Sequence, residues 1–277
     1  MRVIRNKKAL ISGAASGIGR SISLRLAQEG VHLFLVDIDQ QGMAETAAEA
    51  RRSGVEVITR RCDMAQPQDV SSTVAEVLSR WNGVDILVNN AGITYYGKVE
   101  RMAADHWDRI LRINLLSHVQ FTRELLPSLL AREEAHVLNV CSVLGLVGMP
   151  KVTAYCTSKF GMVGFSESLR NELGRQGLGV TAVCPGFVRT NLFTNAPLEQ
   201  DIESHKTPPR IVTTTPERVA NAAVKAIYRN RRLVVMEPMA RAMYFAKRFA
   251  PWLFDILFHT GRRKRTARKM ADLSKAA

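Results

Sequence analysis

Cysteine is scarce, and the four present, Cys62, Cys141, Cys156 and Cys184, are too far apart to form a Cys-x-x-Cys pair. Residues 1–8 lack the apolar stretch of a secretory leader, so the cysteines are expected to be buried, reduced thiols in a cytoplasmic setting. The 6 histidines show no ligand spacing, and no metal is expected. No run approaches the roughly 18 uncharged apolar residues of a membrane-spanning helix. Repeats and Pro/Gly-rich linkers are also missing, which leaves one domain, residues 1–238, followed by an extension, residues 239–277. Acidic residues run short towards the end. From Arg229 onward 13 Lys and Arg stand against 3 Asp and Glu, a net of +10 out of +14 for the whole chain. The basic character therefore belongs to the tail.

What is present suits a large α/β domain: 277 residues, 46% of them hydrophobic. Segments at residues 9–12, 31–36, 55–61, 84–88, 136–141, 179–184 and 233–236 read as strands. Between them lie helical patterns, at residues 40–52, 67–81 (opened by Pro67), 104–132 (bent near Pro127), 155–173 and 216–229. Strands alternating with helices of this length predict a doubly wound, seven-stranded parallel sheet of Rossmann type. Residues 187–215 have weak periodicity and read as a lid.

In such sheets ligands bind beyond the carboxyl ends of the strands, where Gly13, Asp37, Asp63 and Asn90 all fall. Gly13-x-x-x-Gly17-x-Gly19 follows the first strand and opens a helix. Glycines there let backbone N–H groups approach a pyrophosphate, and the helix N-terminus favours its charge. Asp37 lies 18 residues after Gly19, close to the spacing at which a carboxylate meets an adenosine ribose. Its structural alternative is the N-cap of the next helix. Asn114, a poor helix-interior residue, either faces solvent or has a task. Tyr155 and Lys159 stand four apart, on one face if helical. A neighbouring cation favours phenolate and would lower the tyrosine pKa from about 10; the plain alternative is a solvated helix face.

Together Gly13-x-x-x-Gly17-x-Gly19, Asn89-Asn90-Ala91-Gly92, Asn114, Ser142, Tyr155-x-x-x-Lys159 and Pro185-Gly186 with Thr190 resemble the short-chain dehydrogenase/reductase family over residues 7–237. The resemblance implies hydride transfer between nicotinamide and a carbonyl or alcohol. Tyr155 would be the general acid/base, and Lys159 would lower its pKa and hold the nicotinamide ribose. Ser142 would hydrogen-bond the substrate oxygen, and Asn114 would hold a water linking Lys159 to solvent. Asp63 would meet adenine, and Val188 the carboxamide. The implied cofactor set is Ser12, Gly13, Ser16, Gly17, Ile18, Gly19, Asp37, Cys62, Asp63, Asn90, Ala91, Gly92, Tyr155, Lys159, Pro185, Gly186, Val188 and Thr190.

Asp37 would repel a 2′-phosphate, so NAD is expected rather than NADP. Residues 93–96, 143–149 and the lid, mostly apolar, suggest a lipophilic secondary alcohol or ketone such as a steroid, retinoid or long-chain lipid. The alternatives are an NADPH-dependent carbonyl reductase and a membrane-attached Rossmann binding protein without turnover. A homodimer or higher homo-oligomer is expected from the family's usual packing and from the apolar cluster Phe160, Met162, Val163 and Phe165. In the extension, Phe245, Phe249, Trp252, Leu253, Ile256 and Leu257 form a helical stripe, which Pro251 would kink or divide. Arg241, Lys247 and Arg248 flank it, and Arg262, Arg263, Lys264, Arg265, Arg268 and Lys269 follow. The stripe would meet an anionic membrane, peripherally, or else cover the enzyme's own cleft or a partner subunit. Nucleic acid is disfavoured, because no reading element accompanies the basic run.

Overall fold

The computed structural model describes residues 1–190, 192 and 213–259. Most of the expected lid and the basic run after His259 lie outside them.

The chain alternates as the apolar pattern requires: β1 (Lys8–Ser12), α1 (Gly17–Gln28), β2 (His32–Asp37), α2 (Gln40–Arg51), β3 (Val57–Arg61), α3 (Pro67–Trp81) and β4 (Ile86–Asn89). Then come α4 (Ala104–Leu111), α5 (Ser117–Leu130), β5 (Ala135–Val140), α6 (Thr153–Leu173), β6 (Leu178–Cys184), a ribbon of β7 (Phe187–Val188) with β8 (Thr213–Thr214), α7 (Pro216–Tyr228) and β9 (Leu233–Val235). The extension adds α8 (Pro238–Phe249) and α9 (Trp252–His259). The main sheet has seven strands in the order β3-β2-β1-β4-β5-β6-β9, and every pairing is parallel.

Both faces of the central strands are buried, and the strand period of two divides the core. Ala9, Ile11, Leu33, Leu35, Ile86 and Val88 pack on one side against α1, α2 and α7. Leu10, Phe34, Val36, Leu87 and Val137 pack on the other, against α3, α5 and α6. Phe34 is fully buried with its ring edge-on to Trp81 at 5.8 Å, a burial that stabilises by about 2–3 kcal/mol. All four cysteines are buried and unpaired.

Two expectations change. The helix expected over residues 104–132 contains a π turn at Arg112–Leu116, and this widened turn carries Asn114 into the interior. In the apolar cluster expected on the α6 surface, Met162 and Val163 belong to the core; Phe160, at 43% exposure, is the member left on the surface.

Candidate active site

The carboxyl ends of β1, β2, β4, β5 and β6 open onto one cavity of about 670 Å³. The glycine turn forms one wall. Helix α1 begins there with Ser16 at its N-cap, no side-chain cap and no acidic residue in its first turn, so its free N–H groups and positive end face the cavity. Close packing makes the glycines necessary. A Cβ on Gly19 would lie 1.9 Å from the Gly13 carbonyl oxygen, and one on Gly13 would lie 2.7 Å from Asn90 Nδ2. Gly17 has φ +54, a left-handed conformation that glycine adopts without strain.

Ser12 and Asn90 brace this turn. Ser12 Oγ accepts from the Asn90 and Ala91 amides at 3.0 and 3.2 Å, while Asn90 Nδ2 donates to the Ser12 and Gly13 carbonyls at 3.0 and 3.1 Å. Ser12 and Gly19 therefore sit behind the wall, and the other members of the implied cofactor set line the cavity. The Asp37 carboxylate accepts from the Ala15 amide at 2.9 Å and the Asp39 amide at 3.0 Å, so it also ties the turn to β2. The N-cap of α2 is Asp39, which accepts from Gly42, and not Asp37.

Farther along, Ser142, Tyr155 and Lys159 share the cavity. The Ser142 and Tyr155 hydroxyls are hydrogen-bonded, and Ser142 Oγ accepts from the Leu144 amide at 3.1 Å. Lys159 Nζ donates to the Val140 carbonyl at 2.9 Å and lies 5.6 Å from the Tyr155 ring centroid. The expected downward shift of the phenol pKa is reversed here. Burial pushes Tyr155 well above its ordinary value, outweighing the Ser142 hydrogen bond, and burial also lowers Lys159. Asn114 does not face solvent: Oδ1 accepts from the Ile93 amide at 2.8 Å, and Nδ2 donates to the Ile93 carbonyl at 2.9 Å and to Ser158 Oγ at 3.1 Å. A Cβ on Gly92 would lie 3.4 Å from Asn114 Oδ1 and 3.7 Å from Lys159 Nζ, so both groups reach the same spot.

Of the expected substrate segments, Ile93, Thr94 and Tyr95 line the cavity, whereas Val143, Leu144 and Met149 pack behind Tyr155. Unforeseen from sequence are His106, Arg109, Ile110 and Ile113 on α4 and the π turn. Their spacing of i, i+3, i+4 and i+7 was present, but mixed polarity hid it. His106 stacks on Tyr95 at 5.5 Å.

Residues 7–201 match the family profile described as short chain dehydrogenase. The chain belongs to the short-chain dehydrogenases. Among related members, a Mycobacterium tuberculosis protein named as the oxidoreductase SadH is 32% identical over 250 residues, covering 88% of this chain and 90% of its own. A Staphylococcus epidermidis 3-oxoacyl-(acyl-carrier-protein) reductase is 35% identical over 199 residues, 72% of this chain and 81% of its own. The crystal structure of a family member from Burkholderia phymatum in complex with NAD aligns with a TM-score of 0.81 at 27% identity, covering 91% and 96% of the two chains. Family membership makes the protein an oxidoreductase of Rossmann-like fold that uses a nicotinamide cofactor.

Proposed function

We propose that this oxidoreductase interconverts a lipophilic ketone and its secondary alcohol with NAD(H). The observation that carries the reading is continuity. One cavity joins the uncapped start of α1 and Asp37 to the Ser142–Tyr155–Lys159 group and a mostly apolar wall of Ile93, Tyr95, Ile110 and Ile113, to which His106 and Arg109 add polar groups. The free N–H groups of Ser16 to Ile18 fit a pyrophosphate, and Asp37 fits a ribose diol. A bound nicotinamide would supply or accept the hydride. The chain's own residues hold the carbonyl oxygen between the Ser142 and Tyr155 hydroxyls, Tyr155 donates its proton as charge develops there, and Lys159 places a cation beside it. Neighbours named as ketoacyl reductases support including 3-oxoacyl thioesters among the candidates.

A panel of steroid, retinoid, long-chain and 3-oxoacyl substrates with NAD(H) and NADP(H), followed at the reduced-nicotinamide absorbance, tests this. The expected result is turnover of a lipophilic member; activity confined to sugars or other polar alcohols refutes the substrate class. NAD(H) is expected to outperform NADP(H) by about tenfold or more in kcat/KM, because a 2′-phosphate would meet the Asp37 charge. Arg61 stands opposite Asp37 in the strand register but outside the cavity wall. Replacing Asp37 by serine should narrow the preference, and an NADP(H) preference in the wild type would refute it.

The proposal extends to a homodimer packed through α5 and α6. Leu116 and Phe160, 44% and 43% exposed, border that surface. Light scattering at micromolar protein should give twice the chain mass, and a monomeric mass would count against it.

A further inference from the structure

Helix α8 is rooted on the wall of the cavity. Glu237 Oε2 accepts from the Gly186 amide at 2.6 Å, Arg241 Nε donates to the Val235 carbonyl at 2.9 Å, and Ala240 is fully buried in the cluster of Val143, Leu144, Val152, Cys156 and Tyr155. Beyond that root the helix leaves its apolar face uncovered. Phe245, Phe249, Trp252 and Leu257 are 53%, 76%, 57% and 70% exposed, and Leu253 is exposed as well. Single exposed apolar side chains are ordinary on a protein surface, but five within one short stretch make a patch that calls for a partner. None of the five lines the cavity. The stripe is not one continuous helix, because the chain breaks at Ala250 and Pro251 and starts again at Trp252. On α8 the Phe245 and Phe249 rings stack at 6.3 Å.

We infer that α8 and α9 lie on the surface of an anionic phospholipid bilayer. Charge selects this occupant. Arg241, Lys247 and Arg248 lie on α8, and α9 contributes Asp255 as its single acid. The sequence then continues through Arg262, Arg263, Lys264, Arg265, Arg268 and Lys269. A second copy meeting this face in a twofold contact would bring two basic extensions together, each with a net charge of +8 over residues 239–277. An apolar face flanked by cations instead matches acyl chains beneath acidic headgroups, with each basic residue adding attraction that salt weakens. No helix among the described residues is long and apolar enough to cross a membrane, so the attachment lies in the plane of the interface. Since α8 has 12 residues, it sets the cavity wall about 18 Å from its far end. The docking does not depend on which substrate the cavity takes.

Sedimentation of the full chain with vesicles tests it. The protein should pellet with mixed phosphatidylglycerol and phosphatidylcholine vesicles, less at high salt, and stay in solution with phosphatidylcholine alone. The double substitution Phe249→Ser with Trp252→Ser changes two exposed side chains outside the core, so circular dichroism and NAD binding should be unaltered. Its affinity for the anionic vesicles should drop at least about tenfold. Wild-type protein that ignores anionic vesicles overturns the inference. So does a double variant that binds them as well as wild type, which would leave nonspecific charge attraction. If the double substitution instead halves the mass seen by light scattering, the face belongs to a second copy and the inference falls.

Discussion

Replacing Tyr155 by phenylalanine is expected to cut turnover by about 100-fold or more, the scale of losing a general acid/base. The ring would still pack with Val143, Leu144, Val152, Cys156 and Ala240, so the fold and NAD binding should persist. What disappears is the hydroxyl that is paired with Ser142. Because burial holds that phenol above its ordinary value, it is protonated at neutral pH and ready to donate to a developing alkoxide. Reductive turnover should therefore stay flat from neutral pH upward and fall only in strongly alkaline solution. Oxidation needs the opposite proton movement and should rise with pH over the same range. Steady-state kinetics in both directions, with NAD binding measured separately by calorimetry, checks each part. A phenylalanine variant within a few-fold of wild type would remove Tyr155 from the mechanism.

The sheet was legible because its central strands, buried on both faces, are near-continuous apolar runs, and all seven strands fall within a few residues of the expected places. The polar rim followed from the topology, since Gly13, Asp37, Asp63 and Asn90 each end a strand or follow one. Three features were not legible, each for a physical reason. The π turn around Asn114 is stabilised by tertiary bonds to Ile93 and Ser158, which no local propensity reports. The β7–β8 ribbon has two residues per strand, too few for any period to register. The direction of the Tyr155 shift is set by burial, which outweighs the opposed effect of Ser142. Sequence spacing reveals the nearby Lys159 but not the loss of water.

Loss of water also sets the response to acid. His118 and His136 are both completely buried, and burial drives each down from 6.5 to about 3; the Lys159 charge adds to the effect on His118. His136 Nε2 shares a hydrogen bond with Thr181 Oγ1 at 2.9 Å, and Thr181 in turn bonds to the Arg231 carbonyl, so this ring is locked between β5 and β6. A folded-state pKa below the unfolded one means that the unfolded chain binds the extra proton first. The stability held above pH 6.5 is therefore lost as pH falls from there towards 3. At pH 5 each histidine should cost on the order of 2 kcal/mol relative to pH 7, and the pair on the order of 4 kcal/mol. Carboxylates stabilised in the fold do not confuse this window. Glu76, whose Arg60 and Arg80 partners outweigh its burial, and Glu29, bonded to Tyr228 and Arg25, are lowered from 4.5 and lose their contribution only at more acid pH. Urea unfolding at pH 7 and pH 5 should resolve the difference, and His118→Gln should remove about half of it, since an amide takes no proton in this range. Equal unfolding free energies at the two pH values would show that neither ring resists protonation, and a slope untouched by both His118→Gln and His136→Gln would assign it elsewhere.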